Sequence, residues 1–167
     1  ITADYFVVVA IGVDNENNKY MLDCFRKRIS PAEQPQTIID MYKKYRPRRM
    51  KIETTGYQEA LRTAVRELML KDSIYIPGIE KGVKPRTRKS ERLMSLVPMF
   101  AKGQFYLRPQ DMAAQQEFLS YPKGKHDDVM DAVWTALDGH KPCRSKKIDK
   151  DHKKDSLKDK VLDWLTM

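Results

Sequence analysis

Tyr5-Phe6-Val7-Val8-Val9-Ala10-Ile11-Gly12-Val13, then Asp14-Asn15-Glu16-Asn17-Asn18, then Lys19-Tyr20-Met21-Leu22-Asp23-Cys24-Phe25-Arg26-Lys27-Arg28, decides the architecture. Two runs rich in β-branched and aromatic residues flank a dense turn signal, the pattern of an antiparallel hairpin. The period then changes. Ser30-Pro31-Ala32-Glu33 has the form of a capping box with proline at the first helical position. It predicts a helix to about Tyr45, with Ile38, Ile39, Met41, Tyr42 and Tyr45 as its apolar face and Pro47 as its stop. Residues 50–53 are short enough for a central strand, and Thr54-Thr55-Gly56 turns the chain into a second helix. There Ala60, Leu61, Ala64, Val65, Leu68 and Met69 recur at helical spacing, and residues 73–77 are a further sheet candidate. A hairpin followed by alternating helices and strands predicts an α/β fold with a mixed sheet flanked by helices.

Further along, residues 93–101 have a helical pattern interrupted by Pro98, residues 104–108 read as a short strand and residues 111–119 as a helix. Tyr121-Pro122-Lys123-Gly124-Lys125 is a loop, and a final core helix is expected over residues 127–137. Beyond Gly139 apolar residues thin out while Lys and Asp accumulate. The expected division is therefore one domain over residues 1–140 and a basic, mobile tail over residues 141–167. In the tail Leu157, Val161, Leu162, Trp164 and Leu165 carry the spacing of a short amphipathic helix.

The chain has 167 residues, 41% of them hydrophobic, enough for one compact domain with its own core. Its net charge is +9, and because residues 141–167 hold nine Lys/Arg against five Asp/Glu, the body is basic in its own right. That balance favours nucleic acid or another anionic surface, the alternative being a solvated face without a specific partner. No apolar run approaches the roughly 18 residues of a membrane span, and no secretory signal is visible. Cys24 and Cys143 make no disulfide framework, so the chain reads as an intracellular, reduced protein. Opening on Ile1 rather than Met, it reads as a fragment.

Within this basic chain stands His126-Asp127-Asp128-Val129-Met130-Asp131. On a helix beginning near Asp127, Asp127 and Asp131 share a face and Asp128 points about 100° away. Acids in a first turn complement the helix dipole, but three in five residues repel one another and call for a cation. Asp127 and Asp128 are the better ligands. Asp131 is either a further ligand or a hydrogen bonder to the core, and His126 is a ligand, a proton shuttle or a loop residue. Glu53, at a strand end before a glycine turn, is where open α/β sheets place ligand-binding groups. An oxygen donor set favours Mg²⁺ or Mn²⁺, and two such ions about 4 Å apart hydrolyse phosphodiesters without a side-chain nucleophile. No Ser/His/Asp arrangement and no Walker phosphate loop competes with this reading. Lys81, Lys84, Arg86, Arg88, Lys89 and Arg92 form a loop-borne basic stretch suited to a phosphate backbone, and a second basic segment over residues 43–51 is either that or a solvated face.

Ala3-Asp4-Tyr5-Phe6-Val7-Val8-Val9, Ile52-Glu53-Thr54-Thr55-Gly56-Tyr57-Gln58 and the stretch from Tyr121-Pro122-Lys123-Gly124-Lys125 through His126-Asp127-Asp128 to Asp131-Ala132 together resemble the nuclease domain of tailed-bacteriophage terminase large subunits. The resemblance covers roughly residues 1–138, and its last segment is the most specific. It implies an RNase H-like (RuvC-type) fold and a metal-dependent endonuclease that cuts concatemeric double-stranded DNA during packaging. It also implies Glu53 and Asp127 or Asp128 as metal ligands, an ATPase motor in the same polypeptide, and the portal protein and small terminase subunit as partners. The setting implied is the cytoplasm of an infected bacterium. The family's first acid lies on a strand upstream of the Ala3-Asp4-Tyr5 segment, so one inner strand and one catalytic aspartate are expected to be missing from these residues. The rival readings are another RNase H-like nuclease, such as a resolvase or transposase, and a catalytically inactive DNA-binding or portal-docking module.

Overall fold

The computed structural model describes residues 5–53, 56–84 and 87–141. The expected tail helix, Arg86 and Cys143 lie outside the described residues. β1 (Phe6–Val13) and β2 (Lys19–Lys27) form the expected hairpin, paired from Phe6↔Lys27 to Val13↔Lys19 with an irregularity at Ala10/Ile11. Its turn is closed by Asp14, whose Oδ1 accepts from the N–H groups of Glu16 (2.9 Å) and Asn18 (2.8 Å). Asn17 takes the left-handed conformation there, φ 68°, which asparagine tolerates. β3 (Phe105–Tyr106), shorter than the expected strand, pairs parallel with the other edge of β2, giving a mixed sheet in the order β1-β2-β3.

The first helix, α1 (Gln34–Tyr45), begins later than the capping box predicts. Glu33 does reach back to the Ser30 N–H (2.8 Å) and Oγ (2.7 Å), but around a turn outside the helix. Pro35 decides the matter: in a helix started at Pro31 it would sit past the first turn, where its missing N–H costs a hydrogen bond, whereas in the observed helix it occupies the first turn. Arg46 closes α1 in the left-handed region (φ 45°), its N–H donating to the Tyr42 carbonyl. α2 (Gly56–Lys71) follows; α3 (Lys89–Met94) begins ahead of the helix expected over residues 93–101, so Lys89 and Arg92 are on a helix and not on the expected loop, and α4 (Val97–Ala101) starts afresh with Pro98 in its first turn. α5 (Met112–Ser120) and α6 (Asp128–Leu137) complete the order. None of these helices is long and apolar enough to cross a membrane.

Alternation along β1 sends its side chains to two cores. Val7, Val9 and Ile11 pack with Met21, Leu93, Leu96, Phe105, Val129, Met130 and Val133, on the side of α3, α5 and α6. Phe6 and Val8 pack with Ile38, Ile39, Leu61, Val65, Ile76 and Ile79, on the side of α1 and α2. The sheet is thus covered by helices on both faces, as expected of an α/β fold.

Residues 50–53 and 73–77 do not form the full strands predicted for them. Glu53 makes one parallel bridge to Val83, flanked by Val83 N–H to Ile52 carbonyl (2.9 Å) and Met50 N–H to Pro77 carbonyl (2.7 Å). Gly78 permits this close approach: its φ is +94°, and a Cβ there would lie 2.6 Å from the Met50 carbonyl. Among the described residues β1 pairs with β2 alone. Between β1 and residues 48–53 runs a cleft of about 1310 Å³, lined by nearly every consecutive residue of β1. Since successive strand residues point to opposite faces, such lining means that the edge of β1, not a face, borders the cleft. Ladder formation needs a neighbour, and on this side residues 50–53 have the cleft instead.

Candidate active site

The carboxylate run occurs where α6 begins. Asp127 is the N-cap residue, yet its side chain makes no capping bond. The cap comes from α5: buried Glu117 directs Oε1 at the N–H groups of Val129 (2.6 Å) and Met130 (3.0 Å). Burial pushes the Glu117 carboxyl up, against the pull of those two N–H groups. Its Oε2 has no hydrogen bond, and the Arg26 Nε is 3.8 Å away. With Glu117 satisfying the helix end, the side chain of Asp127 is released to face α3.

There Lys89 Nζ lies 2.8 Å from Asp127 Oδ1 and 3.0 Å from Asp131 Oδ2. One cation touching both carboxylates fits the expectation that Asp127 and Asp131 share a helix face. One turn along α3, Arg92 Nη1 is 3.2 Å from Glu53 Oε1 and 3.5 Å from Asp131 Oδ1. The Arg92 side chain is only 8% exposed and its guanidinium lies 4.8 Å over the Trp134 ring. Glu53, brought in through its bridge to Val83, therefore shares a buried arginine with Asp131.

Asp128 points elsewhere, into the cleft, as do Glu53 and Asp131. Burial, then the neighbouring charge of Asp127, raises its carboxyl above the usual range. His126 stands beside it, Nδ1 3.8 Å from Asp128 Oδ2, with its ring edge-on to Tyr5 at 5.3 Å between centroids. Glu53 and two carboxylates of α6, Asp128 and Asp131, thus line the cleft between the β1 edge and residues 48–53. A family model described as "Terminase RNaseH-like domain" matches residues 2–138. The chain belongs to the terminase RNase H-like domain family. No curated protein and no solved structure matches it.

In this terminase domain the predicted phosphate-binding stretch divides by geometry. Lys81, Lys84 and Arg88 are exposed, Lys89 is exposed but reaches the carboxylates from the rim, Arg92 is buried against them, and Arg86 is outside the described residues. The other basic segment is largely occupied: Lys43 pairs with Asp72 (3.0 Å), Lys44 with Asp23 (2.8 Å), and Lys51 donates to the carbonyls of Ala136 and Asp138.

Glu53, Asp128 and Asp131 offer hard oxygen donors, and a buried Asp131 oxygen, Oδ1, has no hydrogen bond, which fits a hard divalent cation. Among the described residues no three His, Cys, Asp or Glu side chains converge as one metal cage, and the carboxylates of Asp127 and Glu53 are paired with Lys89 and Arg92. The terminase domain also depends on a residue that sequence reading passed over. Glu117 sits with Ala114, Phe118 and Tyr121 at helical spacing, and a lone acid in that otherwise apolar stripe was the signal.

Proposed function

We propose that residues 1–140 are a metal-dependent endonuclease that cuts concatemeric double-stranded DNA during viral genome packaging, with residues 141–167 as a basic appendage. The observation that carries this reading is that Glu53, Asp128 and Asp131 line one cleft, within a chain of terminase RNase H-like type. Glu53, Asp127 and Asp128, with Asp131, would hold Mg²⁺ or Mn²⁺, and His126, which stands beside Asp128, would serve as a ligand or proton shuttle. Bound there, a pair of such ions supplies an activated water and stabilisation of the leaving oxygen. The protein's own part is to bring carboxylates from α6 and residues 50–53 together, to hold α6 by Glu117, and to steer the duplex by Lys81, Lys84, Arg86 and Arg88.

The cleft supports a further element of this reading. A strand inserted between β1 and residues 50–53 would find an unpaired β1 edge on one side. It would find Ile38, Met41 and Leu61 on one face and Ala132, Thr135 and Ala136 on the other. An apolar strand suits those faces, and the aspartate that the resemblance implies would be carried on it. Such a strand completes both the sheet and the ligand set. Double-stranded DNA is the proposed substrate, with an ATPase motor in the same polypeptide, the portal protein and the small terminase subunit as partners, in the cytoplasm of an infected bacterium. Family membership favours this over a resolvase or transposase.

Supercoiled plasmid incubated with Mn²⁺ tests the proposal. Nicking that is lost in Glu53→Ala and in Asp127→Ala or Asp128→Ala supports it. Nicking unchanged in all three variants refutes the site. Plasmid binding without cleavage, even with a cleft-filling strand supplied, favours a DNA-binding or portal-docking module instead.

A further inference from the structure

The two cations of α3 are unequal in a way that the charge count does not reveal. Arg92 is buried, held by Glu53, Asp131 and the face of Trp134, and is part of the frame. Lys89 is 44% exposed and reaches the same carboxylates from the rim, on a flexible four-carbon stem. It contacts Asp127 and Asp131 together, so it occupies one oxygen of each of two carboxylates proposed above as metal ligands. Arg88, which precedes it at the start of α3, is exposed. A phosphate arriving along that rim offers Lys89 an alternative anion without unfolding anything.

We propose that Lys89 is an intramolecular counter-ion that competes with divalent metal for Asp127 and Asp131, and that contact with DNA phosphate draws it away, coupling metal loading to substrate. The inference rests on the metal-site reading above. Two half-solvated ion pairs are weak individually, so their loss is expected to tighten metal binding by about fivefold, not by orders of magnitude. Coupling is reciprocal, so metal must also tighten DNA binding as long as Lys89 is present.

Isothermal titration of MnCl₂ into the DNA-free chain reads the first effect. Lys89→Gln should bind Mn²⁺ about fivefold more tightly than wild type, Lys89→Arg should resemble wild type, and Glu53→Gln should bind more weakly. Fluorescence anisotropy of a labelled duplex, at fixed ionic strength because Mn²⁺ also screens phosphates, reads the second. Mn²⁺ should tighten wild-type binding and leave Lys89→Gln little changed. If Lys89→Gln binds Mn²⁺ no more tightly than wild type while Glu53→Gln still weakens it, the counter-ion role is wrong and the metal site stands. If Mn²⁺ binding is absent, or indifferent to Glu53→Gln and Asp128→Asn, both readings fall.

Discussion

Replacing Glu117 with alanine removes the oxygen that accepts from the Val129 and Met130 N–H groups in the first turn of α6. Both bonds are buried, and each donor left unsatisfied costs roughly 1–3 kcal/mol. Some of that is offset because the variant no longer buries a carboxylate with an orphan oxygen. A net loss of about 2–4 kcal/mol is expected, a large part of a typical domain's stability. At roughly 2–4 °C per kcal/mol for a chain of this size, Tm should fall by about 5–15 °C. Glu117→Gln retains an acceptor of the same reach and should lose less than about 1 kcal/mol. Glu117→Met, similar in volume but without an acceptor, should behave like alanine. Burial raises the Glu117 carboxyl, so the stability that it contributes is complete below its unfolded value and is lost as pH rises through the folded one. Glu117→Gln should therefore gain on wild type as pH increases from about 4 to 8. Urea melts across that range provide the measurement. Methionine as stable as glutamine, or all three variants within about 1 kcal/mol of wild type, would refute the capping role.

Other expectations follow from the same contacts. Burial alone would raise Asp23, but hydrogen bonds from Lys44 and Tyr45 hold it at about 2, so its contribution is present above 3.8 and lost as pH falls towards 2. Asp23→Asn should flatten that acid limb in a pH-dependent melt. Gly78→Ala forces a Cβ to within 2.5 Å of the Arg49 side chain at a φ of +94°, and should lower Tm by at least about 4 °C. Charge reversal at Lys81, Lys84 and Arg88 should weaken duplex binding at all sequences and reduce its salt dependence, as anisotropy in a salt series will show. Sequence-selective loss would contradict backbone contact.

Local chemistry was legible and tertiary placement was not. The hairpin could be read because alternation and the Asp14–Asn18 turn act within a few residues. The Ser30/Glu33 box points to an earlier start for α1 than the one Pro35 allows, since proline is tolerated in a first turn and not beyond it. Residues 50–53 and 73–77 look like strands by composition, but a strand is made by its neighbours: residues 50–53 border a cleft, and the 73–77 segment reaches Met50 through the Pro77 carbonyl alone among the described backbone bonds between them. Glu53 and the His126 to Asp131 run were visible as anomalies of charge. That Lys89 and Arg92 answer those charges depends on how α3 docks, which no local pattern encodes.

β1 is the element through which the two hydrophobic clusters meet, Val7, Val9 and Ile11 serving one and Phe6 and Val8 the other. Each cluster has its own helices, so each has the makings of a separate cooperative unit. Native-state hydrogen exchange should then find amides of α1 and α2 opening with a free energy different from those of α5 and α6. A ligand that bridges Glu53 to α6 ties one unit to the other. The same event that assembles the carboxylates would make the domain unfold as a single body.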